Sequence, residues 1–173
     1  IDLTYGAFEL AEKYRAIVII MADGSLGQMM EPAELPSMCS IRVDYPNWSV
    51  RGAQGREPRT LSSIYIDPVD DEVMNYRLMT RWEIIRENEV RYKEYYLDDA
   101  EIVVVGFGTA GRIAYSAVRA AREEGIPVGL LRPISLSPFP SDQIDAVADQ
   151  TQAILVTEMN AGQMLDDVLR EVD

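Results

Sequence analysis

The sequence predicts an α/β fold built on a parallel sheet, and three observations support this prediction. Short apolar runs of the kind found in strands buried on both faces occur at 17–21, 101–106 and 128–131. Segments with the apolar periodicity of amphipathic helices alternate with such runs from about residue 98 to the end. Finally, 47% of the 173 residues are hydrophobic, which is enough for the core of one domain or slightly more.

The first half of the chain is expected to hold few regular elements. Apolar side chains spaced by three and four residues predict a helix over 2–14, and the run 17–21 predicts a buried strand. Prolines and glycines interrupt every period between 22 and 66, which predicts a long irregular segment. Asp67 and Pro68 have the composition of a helix start, and an amphipathic pattern continues from there to about Tyr96.

The second half is predicted to alternate strand and helix. Gly125 is expected to end the first helix of this half in the left-handed conformation, and Ser141 is expected to cap the second. This order predicts parallel strands with helices on both faces of the sheet. The expected strands are 101–106, 128–131 and 153–157, and the expected helices are 111–124, 141–148 and 162–172.

The composition excludes several kinds of chemistry. The chain has no histidine and one cysteine, Cys39, so its own residues cannot form a histidine-based nucleophile pair, a histidine-ligated zinc or haem site, an internal disulfide or an iron–sulfur cluster. Reactions would depend on Asp, Glu, Lys, Tyr or backbone groups, or on a cofactor brought by another chain. Cys39 lies in a proline-rich loop with only Arg42 nearby and is expected to be unreactive.

The charge balance limits the partners. With 29 acidic and 16 basic residues the net charge is −13, which argues against a nucleic-acid partner. No apolar run approaches the ~20 residues of a membrane span, and the first residues lack the basic start of a signal peptide. The single cysteine fits a reducing cytoplasm. Because the first residue is Ile1, we expect a processed product or a part of a longer chain.

The segment Gly106–Gly111 is a G-x-G-x-x-G turn between a predicted strand and a predicted helix, the context of the dinucleotide fingerprint. The fingerprint also requires an acidic residue at the end of the second strand, where this sequence has Arg132 followed by proline. Glu123 and Glu124 come too early. A tight strand-to-helix packing turn is the favoured interpretation, and a nucleotide-binding or regulatory module using Gly106, Gly108 and Gly111 is the alternative.

Two other segments follow predicted strands at the edge where open α/β sheets bind ligands. In Asp23–Pro32, Gln28 can donate and accept hydrogen bonds, and the two adjacent methionines offer an adaptable apolar surface. A cavity wall and a simple turn are equally compatible with this segment. In Glu158–Met164, we expect Asn160 as a helix N-cap and Glu158 as a surface charge rather than a buried acid.

The remaining clusters have ordinary structural interpretations. The acidic groups at 70–72, 98–101 and 166–167 are expected at helix starts and on solvated faces rather than as magnesium ligands. Tyr92, Tyr95 and Tyr96 are expected to pack against a partner or another domain. A purely structural interaction domain is therefore a third interpretation.

Four segments together resemble the α subunits of 2-oxoacid:ferredoxin oxidoreductases, especially the branched-chain (2-oxoisovalerate) type. They are Asp23–Pro32, Asn88–Tyr92, Gly129–Pro140 and Glu158–Met164. The resemblance implies an α/β fold in which the end of a thiamine pyrimidine-type domain, 1–60, precedes a linker with a long helix, 61–97. A transketolase C-terminal-like parallel-sheet domain, 98–173, follows.

The resemblance also implies an activity, namely oxidative decarboxylation of a 2-oxoacid to an acyl-CoA with reduction of ferredoxin. Thiamine diphosphate and magnesium would be held by a partner subunit, iron–sulfur clusters by other subunits, and none of them by this chain alone. The expected partners are the β, γ and δ subunits, ferredoxin and coenzyme A.

Within this chain the resemblance implies a cavity wall at Asp23, Gly27, Gln28 and Met29, and no catalytic residue. The 106–111 turn would join strand to helix without holding a dinucleotide. The first half of the pyrimidine-type domain is expected to be absent, so the isolated chain is expected to be inactive.

Overall fold

The computed structural model describes residues 1–37 and 47–172, so Cys39 and Arg42 lie outside the described residues. The chain forms two units. Unit 1 comprises residues 1–21 and 30–83, and unit 2 comprises residues 22–29 and 84–173. No helix among the described residues is both long enough and apolar enough to cross a bilayer.

The described part of unit 1 contains two helices and long irregular segments. Helix α1 spans Asp2–Tyr14, as the sequence predicts, and ends at Arg15 in the left-handed conformation. Helix α3 spans Pro68–Glu89, and its last six residues belong to unit 2. Asp67 starts this helix as predicted, because its Oδ1 accepts a hydrogen bond of 2.8 Å from the amide of Val69.

Unit 2 is a four-stranded sheet in the order β1-β3-β2-β4. Strand β2 pairs in parallel with both β3 and β4, and β1 pairs antiparallel with β3. The strands are β1 Tyr92–Tyr95, β2 Ile102–Gly106, β3 Val128–Pro133 and β4 Ala153–Thr157, and the helices of this unit are α2 Gly24–Gln28, α4 Gly108–Glu123, α5 Ser141–Gln150 and α6 Gln163–Leu169. The predicted α/β fold with a parallel sheet is confirmed.

Helices cover both faces of the sheet, as the alternation of elements predicts. One face carries Val103, Val105 and Leu131, which pack with Ile144 of α5 and with Met164 and Val168 of α6. The opposite face carries Val104, Val128 and Leu130, which pack with Ala114 and Val118 of α4. The side chains alternate between faces along β2 because successive residues of a strand point to opposite sides.

The end of the long helix differs from the prediction. Helix α3 stops at Glu89 rather than near Tyr96, and residues 92–95 form the antiparallel edge strand β1. The physical reason is pairing with a distant segment, because the backbone of β3 satisfies the hydrogen bonds of β1. Tyr92 packs against one core and Tyr95 against the other, so these two tyrosines contribute to the sheet itself.

The predicted strand at 17–21 is also wrong. These residues form no strand in the described chain, and Ile17 and Ile19 are 90% and 78% exposed. A strand requires a neighbour to accept and donate its backbone hydrogen bonds. No described segment pairs with 17–21, so the apolar pattern alone does not make it a strand.

Smaller differences concern helix ends in unit 2. Ser141 is the first residue of α5 and makes no capping hydrogen bond, so the predicted cap is wrong. Gly125 follows the end of α4 with φ 81°, as predicted. Arg122 fixes this end of α4, because its guanidinium donates to the carbonyls of Val128 and Tyr96 and to the Asp99 carboxylate, each at 2.7 Å.

Candidate functional site at the carboxyl edge of the sheet

The glycine turn joins β2 to α4 with very little space between them. A Cβ placed on Gly111 would lie 2.5 Å from the carbonyl oxygen of Gly106. A Cβ on Gly106 would lie 2.9 Å from the methyl group of Thr157 at the end of β4. Glycine is therefore needed at both positions so that the first turn of α4 can pack directly against the sheet.

Asp23 lies on the N-terminal end of α4. The hydroxyl of Thr109 donates a hydrogen bond to Asp23 Oδ2, and the amide of Leu26 donates to Asp23 Oδ1 at 2.7 Å. Asp23 is thereby the N-cap of the short helix α2 and a partner of α4 at the same time. These hydrogen bonds, that of Thr109 first, lower the pKa of the Asp23 carboxyl below its ordinary value.

This contact bears on the nucleotide alternative. In a dinucleotide site the pyrophosphate lies at the helix N-terminus, where backbone amides and the helix dipole favour negative charge. Here the carboxylate of Asp23 lies at that end of α4. Arg132 stands where the fingerprint requires an acid, and its Cγ would lie 3.3 Å from a Cβ on Gly111. These observations favour the packing-turn interpretation.

Gly27, Gln28 and Met29 follow Asp23 on and just after α2. The amide of Met29 donates to the carbonyl of Ser25 at 3.1 Å and ends the helix. All three residues are exposed, Met29 by 47% of its surface. The side chains of Gln28 and Met29 are therefore exposed on the surface of unit 2 and do not fill a gap in its core.

The segment after β4 is organised by two side chains that accept backbone hydrogen bonds. Glu158 accepts hydrogen bonds from the amides of Met164 and Leu165 at 2.9 and 3.3 Å. Asn160 Oδ1 accepts from the amides of Gly162 and Gln163 at 3.1 and 3.3 Å. The N-cap of α6 is Gly162, so the predicted N-cap at Asn160 is wrong. Asn160 instead holds the turn just before the helix, and Glu158 accepts from two amides of its first turn.

These contacts bring together three segments that are distant in sequence. Each segment adjoins an element of unit 2: the turn 106–111 joins β2 to α4, the segment beginning at Asp23 contains α2, and the segment beginning at Glu158 follows β4. Gly106 at the end of β2 contacts Thr157 at the end of β4 directly. Two carboxylates at this edge, of Asp23 and Glu158, accept hydrogen bonds from groups in the first turns of helices. We call these three segments the carboxyl edge. Its polar groups position helices, an arrangement suited to a scaffold.

A second feature, in unit 1, was missed from the sequence. A cavity of about 360 Å³ is lined by four arginines, Arg15, Arg59, Arg77 and Arg81, together with seven uncharged residues. Arg77 and Arg81 are spaced i, i+4 on α3, so they share one face of the helix. That spacing was the available signal, but Arg15 and Arg59 are brought to it only by the fold.

The chain also matches known proteins over most of its length. Residues 100–173 match the domain family described as pyruvate:ferredoxin oxidoreductase core domain II. The ketoisovalerate oxidoreductase subunit VorB of Methanothermobacter thermautotrophicus is 47% identical over 96% of this chain. Residues 100–173 therefore belong to this domain family, and nearly the whole chain is similar to a subunit of a 2-oxoacid oxidoreductase. The chain spans about half the length of the curated relatives it matches, 47% for this one.

Other relatives act on a different substrate or show the fold alone. The 2-oxoglutarate synthase subunit KorA of Methanothermobacter marburgensis is 31% identical over 98% of this chain, which covers 52% of that subunit. The solved structure of 2-oxoglutarate:ferredoxin oxidoreductase from Magnetococcus marinus, with 2-oxoglutarate, coenzyme A and succinyl-CoA bound, superposes with a TM-score of 0.57. That match covers 63% of this chain and 19% of the other at 17% identity.

The donor atoms of this chain limit the metals that its own residues can bind. One cysteine and no histidine cannot ligate an iron–sulfur cluster. Within residues 1–37 and 47–172, no three Asp, Glu, Cys or His side chains converge as a metal site would require.

Proposed function

We propose that the chain is part of the α-type subunit of a 2-oxoacid:ferredoxin oxidoreductase that acts on a branched-chain 2-oxoacid. The observation that carries this proposal is the difference in identity to two kinds of relative. The chain is 47% identical to a subunit named for ketoisovalerate and 31% identical to a subunit named for 2-oxoglutarate, at nearly equal coverage of this chain.

The proposed reaction is an oxidative decarboxylation. The bond between the carboxylate and the keto carbon breaks and the carboxylate leaves as CO2. The acyl group is transferred to the sulfur of coenzyme A, whose thiol proton is released. The two electrons would pass to ferredoxin through clusters on other subunits. Thiamine diphosphate, which a partner subunit would hold with magnesium, would supply the nucleophilic carbon that makes the decarboxylation feasible.

Within this reaction we assign the described residues a supporting role. Residues 1–60 would end the pyrimidine-type domain, 61–97 would link it to the next domain, and 98–173 would form the transketolase C-terminal-like domain. The tight packing at Gly111 and the capping by Asp23 support a rigid scaffold in the last of these. Asp23, Gly27, Gln28 and Met29 would form part of a cavity wall, where the exposed apolar Met29 favours an apolar substrate side chain.

The proposal includes the partners of the chain. The β, γ and δ subunits would supply the thiamine and cluster sites that the donor set of this chain does not provide, and ferredoxin would be the electron acceptor. The single cysteine, Cys39, fits assembly in a reducing cytoplasm.

The test is substrate preference in the assembled complex. The full-length subunit would be co-expressed with its partner subunits and purified without oxygen, and coenzyme A-dependent viologen reduction would be measured with a panel of 2-oxoacids. We expect the highest kcat/KM with 2-oxoisovalerate. A higher kcat/KM with 2-oxoglutarate or pyruvate would contradict the proposed substrate, and no reaction with any 2-oxoacid would contradict the proposed activity.

A further inference from the structure

The arginine cavity of unit 1 has a composition that the carboxyl edge and the proposed function do not explain. The chain carries a net charge of −13, yet four arginines line a single cavity and none of the eleven lining residues is acidic. Three of the arginines, Arg15, Arg59 and Arg81, are half-buried. Like charges held together in partly desolvated surroundings repel one another unless an anion offsets them.

Three of the four arginines are held in place by neutral groups. Arg81 donates to the carbonyl oxygen of Arg15 at 2.9 Å, and Arg59 donates to the carbonyl oxygen of Ser49 at 3.0 Å. The guanidinium of Arg15 lies 5.5 Å from the ring centre of Trp48. These contacts orient the side chains but neutralise none of their charge, so each guanidinium keeps donors for a ligand.

Arg77 differs from the other three. Among residues 1–37 and 47–172 it has neither an ion-pair partner nor a hydrogen bond, and it lies on the same face of α3 as Arg81. The hydroxyl of Thr60, another lining residue, likewise makes no hydrogen bond to the described part of the chain. The cavity therefore offers an uncommitted guanidinium and an uncommitted hydroxyl beside three anchored arginines.

From this arrangement we infer that the cavity binds a phosphate or diphosphate group. Guanidinium groups pair with phosphate oxygens through two parallel hydrogen bonds, and four of them match a multiply charged oxyanion better than a single carboxylate. A volume of about 360 Å³ lies within the range of small-molecule sites. The group comes either from free phosphate or diphosphate, or from a larger ligand that carries it.

The test uses the full-length subunit in its complex and measures binding by titration calorimetry with three probes: inorganic phosphate, diphosphate and ADP. Arg77→Gln removes a lining arginine that has no hydrogen bond, ion pair or aromatic contact within residues 1–37 and 47–172, so its effect on folding is expected to be small. Arg86→Gln is the matched control, because Arg86 is an exposed arginine of the same helix outside the cavity lining.

We expect diphosphate to bind the parent and the Arg86→Gln variant equally, and the Arg77→Gln variant at least about tenfold more weakly. Equal binding of ADP and diphosphate would identify the diphosphate group itself as the recognised part, and tighter binding of ADP with the same dependence on Arg77 would indicate a larger phosphate-bearing ligand. If none of the three probes binds, the inference is overturned. An acidic segment of the complex that occupies the cavity would produce this result. Binding that is unchanged in Arg77→Gln would overturn it as well.

Discussion

Replacing Gly111 by alanine is expected to destabilise unit 2 by about 2 kcal/mol. The new Cβ would lie 2.5 Å from the carbonyl oxygen of Gly106 and 2.9 Å from its carbonyl carbon, against an ordinary contact distance of at least 3.4 Å. Strand β2 and helix α4 would have to separate by up to about 0.9 Å to restore that distance. Both clashing atoms belong to the backbone, so no change of rotamer relieves the contact.

Two opposing effects determine the size of this loss. Overpacking of a core costs about 1–3 kcal/mol and more where the backbone must move, so we take about 3 kcal/mol for a backbone clash of this severity. Alanine is favoured over glycine inside a helix by about 1 kcal/mol. The clash therefore outweighs the helix preference, whereas a roomy turn would make the same substitution stabilising.

The measurement is urea unfolding followed by far-ultraviolet circular dichroism, because both tryptophans, Trp48 and Trp82, lie in unit 1 and would not report on unit 2. Ser116→Ala is the matched control, since Ser116 is exposed on the same helix. The control is expected to be unchanged or slightly more stable. If Gly111→Ala proved as stable as the parent, the tight strand-to-helix turn and the argument built on it would be refuted.

Three further predictions concern unit 2. Hydrogen bonds lower the pKa of Asp23 in the folded chain, so its contribution to stability is fully present above its ordinary pKa of 3.8 and is lost as pH falls through the lowered folded value. Chemical unfolding of Asp23→Asn is therefore expected to show a smaller loss of stability than the parent when the pH is lowered from 7 into the acid range. An identical loss in the two proteins would count against the capping role. Arg122→Gln is expected to lower the thermal unfolding midpoint more than Asp99→Asn, because two of the three hydrogen bonds of Arg122 go to backbone carbonyls. The reverse order would show that the ion pair with Asp99 contributes more to stability than the two backbone hydrogen bonds. Ile144→Ala removes a fully buried side chain and is expected to lower the free energy of unfolding by about 2–5 kcal/mol. Ile113→Ala, at a residue that is 63% exposed, is expected to lower it by less than about 1 kcal/mol. Similar losses for the two variants in urea unfolding would refute the assigned core.

The strands of unit 2 were predictable because each carries its signal locally. Val103, Val104 and Val105 form an apolar run that is buried on both faces of the sheet, and a turn residue follows it directly. The edge strand β1 was not predictable from its own residues. Its polar sequence follows a helix without a break in pattern, and only pairing with β3 stabilises it as a strand.

The candidate site shows the same division between local and distant information. The fingerprint turn and its missing acid could be recognised in the sequence, and so could the segment that begins at Asp23. The hydrogen bond between Asp23 and Thr109 joins residues 86 positions apart, which no local pattern encodes. The arginine cavity likewise depends on the approach of Arg15 and Arg59 to one face of α3.

The identity of the product tests the central claim most directly. The purified complex containing the full-length subunit would be given 2-oxoisovalerate labelled at its carboxylate carbon, coenzyme A and oxidised ferredoxin without oxygen. We predict label in CO2, unlabelled isobutyryl-CoA by mass spectrometry, and two electrons on ferredoxin for each acyl-CoA formed. If 2-oxoisovalerate yields no acyl-CoA while 2-oxoglutarate yields succinyl-CoA in the same preparation, the branched-chain assignment is contradicted.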